Sequence, residues 1–409
     1  MRVGGRVAAG DDTGGAGEVD VSGRDAACGW AMALLTASGA CGGPAAAPPP
    51  PLPPCLAKSV TAGVSGTWVL KEDGSAWYWG YSDPPPKSLP PVESTWIPSD
   101  TADIFLRSNM MCILSSSDDL RCAASLSSQF CGRSDAGQTI CATGGQPGAT
   151  TMAIRDVVQV AMGPNEDPQH TVAALNCAVK KDGTVWCFGS TNDVAFVTQY
   201  IEIGSDVVTV ATGLFATGAI KVDGTVWSWG TGYLGDGMPP YAANDPQPPV
   251  RVLLPSSARG IALGRDYACA VLDDNTVWCW GYRGFGSAFH QDYAPFLSPV
   301  QIGISDVKTV VMGSFHACAL KNDGSLWCWG SDFYGEAGYG PGGYANSATW
   351  EVPRQVDLGN DVTMVAAGDS HTCARKSDAT IWCWGNSSRG QIGNNLAVNT
   401  SPVQMLGCE

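Results

Sequence analysis

The chain is poor in charge and poorer in histidine. Of 409 residues only 15% are Asp, Glu, Lys or Arg, and four are His. Basic residues are the scarcer sign, 23 against 38 acidic, so the net charge is −15 and the surface field is negative. That sign argues against nucleic acid and against an anionic lipid surface as partners. No apolar run reaches the 18 residues of a spanning helix, which excludes a polytopic membrane protein. GxSxG, the P-loop, HExxH and a Gly-rich dinucleotide turn opening a helix are all missing. The residues therefore offer no catalytic constellation, no metal site and no cofactor site. What is abundant is Gly (51), Pro (27), Cys (16) and Trp (15), a composition of turns, strands and paired thiols that excludes a helical bundle.

One unit recurs along the chain. It reads Trp68-Val-Leu-Lys-Glu-Asp-Gly74-Ser-Ala-Trp-Tyr-Trp-Gly80, then Cys177-Ala-Val-Lys-Lys-Asp-Gly183-Thr-Val-Trp-Cys-Phe-Gly189, then Gly218-Ala-Ile-Lys-Val-Asp-Gly224-Thr-Val-Trp-Ser-Trp-Gly230. Copies follow from Cys269 to Gly281, Cys318 to Gly330 and Cys373 to Gly385, with a degenerate one from Cys112 to Ala124. These are seven units spaced by roughly fifty residues.

Each unit has the pattern of a hairpin: alternating apolar residues, a Lys-x-Asp-Gly turn, then alternating residues ending in Trp-Cys-Trp-Gly or a relative of it. A three-residue loop with its last residue in the left-handed region sets the register and makes Cys177 face Cys187. The same ten-residue offset joins Cys112 with Cys122, Cys131 with Cys141, Cys269 with Cys279, Cys318 with Cys328, and Cys373 with Cys383. Where the pair is absent both members change together, Trp68 with Tyr78 and Gly218 with Ser228, as expected of facing positions. Six disulfides are expected, each stabilising by about 2–3 kcal/mol. The spacing does not suit zinc. At the left-handed position Gly74, Gly137, Gly183, Gly224 and Gly324 comply, Asn275 is tolerated, and Asp118 and Ala379 depart, with strain expected at Ala379.

Both faces of the second strand are apolar, since Trp186 and Phe188 point one way and Val185 and Cys187 the other. Small sheets packed face to face in radial order cover both faces, which predicts an all-β propeller with Trp side chains between blades. Gly368-Asp-Ser-His-Thr-Cys373, Trp384-Gly385-Asn386 and Gly390-Gln-Ile-Gly393 resemble the regulator of chromosome condensation repeat. The resemblance covers residues 55 to 408. It implies a seven-bladed β-propeller in which both chain ends complete one blade, with Ser401-Pro-Val-Gln-Met-Leu406 returning to the first unit near Lys58 to Ala62. Removing the six hairpin pairs leaves Cys28, Cys41, Cys55 and Cys408, and a bridge from Cys55 to Cys408 would staple the ring.

Residues 1–41 read as an address and 42–54 as a Pro-rich tether, leaving 55–409 for the propeller with an extra hairpin at 131–141. The run from Trp30 to Ala37, followed by Ser38-Gly-Ala40 and Cys41, resembles a bacterial lipoprotein export signal with Cys41 as the lipidated residue. A rival reading makes Cys28 and Cys41 an eighth hairpin. Either way the paired thiols imply an oxidising compartment, so an exported protein of the cell envelope or the extracellular space is expected.

His316 and His371 stand two residues before Cys318 and Cys373. A paired metal site is conceivable there, but repeat packing is the simpler expectation. The loops after each Trp-x-Trp-Gly vary in length and carry aromatics. Tyr233, Tyr282, Arg283, Phe285, Phe333, Tyr334 and Arg389, with an acidic rim of Asp236, Asp292, Asp332 and Glu336, have the composition of a protein-binding patch. The expected function is a non-enzymatic, monomeric, exported scaffold, lipid-anchored through Cys41, that presents aromatic loops to a protein or glycan. The propeller-type β-lactamase inhibitory proteins are similar members of the resembled family. That family's nuclear role, guanine-nucleotide exchange on a small GTPase, is one alternative, and a propeller hydrolase or lyase with a hidden site is another.

Overall fold

A computed structural model describes residues 55–63, 66–80, 92–94, 101–107, 110–124, 131–133, 139–141, 152–163, 176–191, 195–242, 245–282, 294–340, 352–394 and 396–406. All of them fall in the unit Pro51–Glu409. Cys28, Cys41 and Cys408, and with them the address, the tether and the lipid anchor, lie outside the described residues. Among the described residues no helix is long and apolar enough to cross a membrane.

The architecture is all β. The first sheet holds β1 to β4 (Ser59–Ala62, Gly66–Leu70, Ala76–Gly80, Val92–Ser94) in order β1-β2-β3-β4. The second joins β5 (Thr101–Arg107), β6 (Met110–Ser115) and β7 (Leu120–Ala124) to β10 (Met152–Ile154), after the chain has made a separate hairpin of β8 (Cys131–Arg133) and β9 (Thr139–Cys141). Four consecutive strands then build each later sheet. The third is β11 to β14 (Val157–Ala161, Asn176–Lys180, Val185–Thr191, Ala195–Ile201), and the fourth is β15 to β18 (Val207–Thr212, Ala216–Lys221, Val226–Gly230, Gln247–Arg251). The fifth is β19 to β22 (Ala258–Leu263, Tyr267–Leu272, Val277–Gly281, Phe296–Ile302), and the sixth is β23 to β26 (Val307–Met312, His316–Lys321, Leu326–Gly330, Arg354–Gln355). The last is β27 to β30 (Val362–Ala367, His371–Lys376, Ile381–Asn386, Val398–Gln404).

This is a β-propeller. Seven equivalent blades were expected, and six uninterrupted blades are found. The sheet of the degenerate unit departs because the 131–141 hairpin separates its third strand from its fourth, and because it ends in Leu120-Arg-Cys-Ala-Ala124 instead of Trp-x-Trp-Gly.

The predicted register holds in every described hairpin. Cys177 faces Cys187, Cys269 faces Cys279, Cys318 faces Cys328 and Cys373 faces Cys383, with Cα atoms 4.0–4.1 Å apart, and all four pairs are disulfides. Cys112 faces Cys122 and Cys131 faces Cys141 in the same way. Cys112 and Cys55 each belong to a disulfide as well. Where the pair is replaced by Trp68 and Tyr78, the two rings stack at 4.8 Å and fill the space instead.

A side-chain chain explains the turn. Asp223 Oδ1 accepts both the Thr225 N–H (2.9 Å) and its hydroxyl (2.6 Å), and Thr225 Oγ1 accepts the Trp227 Nε1–H at 3.2 Å. Lys221 lies over the Trp227 ring at 5.1 Å, a cation–π contact on the exposed side. The same constellation recurs at Asp323, Ser325, Trp327 and Lys321, and at Asp378, Thr380, Trp382 and Lys376. Hydrogen bonds from the hydroxyl, then from the backbone, hold these aspartates below their usual range. The left-handed position is Gly224 (φ 77°) or Gly324 (φ 80°), and Asn275 (φ 65°), Asp118 (φ 63°) and Ala379 (φ 68°) adopt it too.

Trp-x-Trp divides its labour. The first Trp lies half-buried under a lysine at Trp227, Trp327 and Trp382, whereas the second, Trp79, Trp280, Trp329 or Trp384, is fully buried between blades. Ring closure differs from the expectation. Val398–Gln404 pairs with β29 and completes its own sheet, and Ser59–Ala62 pairs with β2 in the next. The ends therefore do not share a blade. They meet edge on, through Cys55 N–H to Met405 O (3.0 Å), Ala57 N–H to Ala379 O (3.0 Å), and an apolar cluster of Cys55, Ala57, Trp79, Ile381 and Met405.

Candidate interaction face

At the end of the blades opposite the Asp-Gly turns, the inner strands of the last four sheets turn into the second strand through a glycine. Gly213, Gly264, Gly313 and Gly368 donate their N–H to the carbonyls of Ala216, Tyr267, His316 and His371 at 2.8–2.9 Å. These glycines form an arc in which each lies against the carbonyl of the next: Gly163 on Gly213, then Gly264, Gly313, Gly368 and finally Gly63. A Cβ built on Gly163 or Gly264 would stand 2.8 or 2.7 Å from that carbonyl oxygen, closer than real atoms approach. Only glycine lets the inner turns pack this tightly.

The second residue of each turn fastens the variable loop behind it. The carbonyls of Phe215, Asp266, Phe315 and Ser370 accept the N–H of Thr231, Tyr282, Ser331 and Asn386, all at 2.8 Å. A ladder across three blades results, with the Arg265 guanidinium 5.8 Å from the Phe215 ring and 5.6 Å from the Phe315 ring, and 3.6 Å from Asp266. Burial pushes the Asp266 carboxyl up against the pull of Arg265. Tyr233 is also pushed up, by burial first and then by Asp266 and Tyr282, which places both predicted tyrosines at this ladder.

Two loops share one internal frame. In 386–394, Ser387 Oγ accepts the Ile392 N–H (3.2 Å) and Gln391 Oε1 accepts the Arg389 N–H (2.9 Å). In 331–340, Asp332 Oδ1 accepts the Ala337 N–H (2.9 Å) and Glu336 Oε2 accepts the Tyr334 N–H (2.7 Å). Arg389 and Tyr334 thus occupy the same position in sister loops. Phe333 is 68% exposed and Tyr334 38%, and their rings meet edge to face at 4.8 Å. Arg389 is exposed too. Arg283, Phe285 and Asp292 lie outside the described residues.

The acidic rim needs correction. Asp332 and Glu336 are 3% and 2% exposed, because Trp384 Nε1–H (3.0 Å) and the Thr372 hydroxyl (2.8 Å) of the next blade close onto the Glu336 carbonyl. Phe215, Arg265, Asp266 and Phe315 escaped the sequence analysis, although their fixed place one or two residues after the turn glycine was a usable signal.

The histidines are packing groups. The Thr372 hydroxyl donates to Glu336 O and so accepts from His316 Nε2–H (2.7 Å), and Thr67 likewise joins His371 (2.9 Å) to the Gln391 carbonyl (2.8 Å). Burial lowers His316 to about 3 and His371 to about 4, so both are neutral. Among the described residues no group of three or more His, Cys, Asp or Glu could hold a metal ion. The face offers ring surfaces and a held guanidinium for stacking and ion pairing.

Residues 258–287, 307–336 and 362–391 match the Regulator of chromosome condensation (RCC1) repeat, and so do residues 323–375. The RCC1 domain-containing protein RUG3, mitochondrial, of Arabidopsis thaliana is 31% identical over 145 residues, 34% of this chain and 32% of that protein. The ultraviolet-B receptor UVR8 of the same plant is 28% identical over 149 residues, 36% and 33% respectively. The chain thus matches about a third of the length of these relatives. The crystal structure of human WBSCR16 superposes with a TM-score of 0.58 at 17% identity, covering 80% of this chain and 88% of that one, which speaks for the fold alone. The chain therefore carries repeats of the regulator of chromosome condensation type on an all-β propeller.

Proposed function

We propose that this protein is an exported, non-enzymatic binding scaffold whose loop face takes a protein partner, with the interrupted sheet of β5, β6, β7 and β10 as the seventh blade of its ring. The observation that carries the reading is the exposed Phe333 and Tyr334 pair on a loop pinned by its own buried carboxyls. Aromatic and Arg side chains dominate binding energy, and a loop already fixed in place has little order left to lose on docking. The Arg265 ladder extends the same surface over the neighbouring blades. Four disulfides favour an oxidising compartment, and an anchor at Cys41 belongs to this reading. Nucleotide exchange on a small GTPase inside the cell sits poorly with those paired thiols. The matched relatives carry a mitochondrial label and a photoreceptor's name, so the fold by itself selects no role.

The test is capture from cell-envelope and culture fractions with the oxidised full chain, with the Phe333→Ala/Tyr334→Ala variant as control. A protein retained about tenfold more weakly by the variant, at an unchanged melting temperature, is the expected outcome. Equal retention removes the loop face from the reading, and capture of glycans without protein replaces the partner class.

A further inference from the structure

We propose that the 331–340 loop is a proton-gated presenter of Phe333 and Tyr334: closed in acid, holding both exposed rings fixed for docking while the buried pair of Asp332 and Glu336 keeps a proton, and progressively open, with that fixed position lost, as the proton leaves. The inference rests on the proposed use of the loop face. The sister loop supplies the argument. Ser387 and Gln391 build the same frame in 386–394 with neutral groups, so the frame itself requires no carboxyl. The 331–340 loop nevertheless buries two.

Their bonding differs. Glu336 spends both oxygens as acceptors, Oε1 for the Ser331 hydroxyl (2.6 Å) and Oε2 for the Tyr334 N–H (2.7 Å), which suits the anion. Asp332 Oδ1 accepts the Ala337 N–H and the Gly338 and Tyr339 N–H groups also pull towards the anion, but Oδ2 is buried with no hydrogen-bond partner, and burial with the nearby Glu336 outweighs that pull. The other titratable groups around the pair do not relieve it. Burial first, and then repulsion from Asp369 in the turn before β28, push Glu336 up against its own hydrogen bonds. His316 and His371, from β24 and β28, are neutral above about pH 4. Tyr339 stays protonated, its hydroxyl on the Cys328 carbonyl, and Arg354 of β26 lies 4.9 Å from the Tyr339 ring. Burial and then Glu336 push Asp332 up from 3.8 to about 7.

The sign follows from linkage. In the open loop Asp332 ionises near 3.8 and in the closed loop near 7, so opening is favoured by rising pH between those values and levels off above 7. Opening should increase about tenfold per pH unit through that window.

Amide hydrogen exchange on the oxidised full chain at pH 5, 6 and 7, corrected for intrinsic exchange, reads this directly. The expected result is an opening of 331–340 that climbs about tenfold per unit while 386–394 stays flat, with Asp332→Ser/Glu336→Gln flattening the first loop. Equal behaviour of the two loops, or a climb that survives in the double variant, overturns the gate. If that variant fails to fold, the reciprocal Ser387→Asp/Gln391→Glu should confer the climb on 386–394, and a flat response there in a folded protein also overturns it. No partner enters this experiment. A flat loop whose partner capture still depends on Phe333 and Tyr334 sinks the gate and leaves the scaffold, and a climbing loop without such capture does the reverse.

Discussion

At the hairpin end of the blades the same few residues return with little change. A lysine covers a tryptophan, and an aspartate holds a Thr or Ser hydroxyl that in turn holds the indole N–H, at 221 to 227, 321 to 327 and 376 to 382. At the loop end the glycines and the backbone bonds that fasten the loops recur, but the side chains that stand on them differ from blade to blade. Leu214 and Phe215, Arg265 and Asp266, Ser314 and Phe315, and Asp369 and Ser370 occupy equivalent places with unlike chemistry. Local hydrogen bonds build the hairpin end, and one repeated bond joins it to the next blade, the carbonyl of the left-handed turn residue accepting the N–H of the following inner strand (Ala258 on Gly224 at 2.9 Å, Val362 on Gly324 at 3.1 Å), so each unit can repeat it. The loop end is built between blades, by carbonyls of one unit and side chains of the next, so it is free to vary once the ring is closed.

The strongest way to break this contrast is to touch the glycine arc. Gly264→Ala places a Cβ 2.7 Å from the Gly313 carbonyl oxygen and 3.4 Å from that of Ser314, so backbone must move in two blades. The expected loss is about 3 kcal/mol in chemical denaturation. Gly303→Ala is the control, since nothing lies within 4 Å of its added Cβ. Equal midpoints for the two variants would show that the arc carries no packing constraint.

A smaller effect sharpens the comparison from the hairpin side. Cys318→Ala/Cys328→Ala removes a ten-residue crosslink and should cost about 2–3 kcal/mol under oxidising conditions, with partner capture unaffected. The first unit shows that the site itself tolerates another filling, since Trp68 and Tyr78 stack there at 4.8 Å. Loss of capture in the cysteine variant would mean that hairpin and loop ends are coupled more tightly than their separate bonding implies.

The same contrast decides what the sequence made legible. Register, disulfide pairing, turn chemistry and the propeller were readable because each depends on residues within about a dozen positions of one another, repeated often enough to expose the rule. The burial of Asp332 and Glu336 was not. It comes from Thr372 and Trp384, 36 and 48 residues later than Glu336, closing over a loop that by composition looks like a solvated acidic rim. The cation–aromatic ladder was hidden for the same reason, because Phe215, Arg265 and Phe315 meet only across blades. The shared-blade closure failed as an expectation because the terminal strand pairs with β29 of its own unit, while Ser59–Ala62 pairs with β2.

The mildest change tests the hairpin end where it departs from its own rule. Ala379 holds the left-handed turn position at φ 68°, where its sisters are Gly224 and Gly324. A methyl group in that region costs about 1–2 kcal/mol, and a glycine gives back part of this through the greater freedom of its unfolded chain. Ala379→Gly should therefore stabilise the protein by about 0.5–1 kcal/mol, read as a raised denaturation midpoint. The Ala379 carbonyl complicates the substitution usefully, because it accepts the Ala57 N–H at 3.0 Å and so joins the last hairpin to the start of the ring. If relief of the turn is all that happens, the gain equals that expected of an isolated hairpin. A loss instead of a gain would mean that the strained alanine fixes the carbonyl for the bond that Gly224 and Gly324 also make to their next blades, and that this inter-blade contact outranks the local rule.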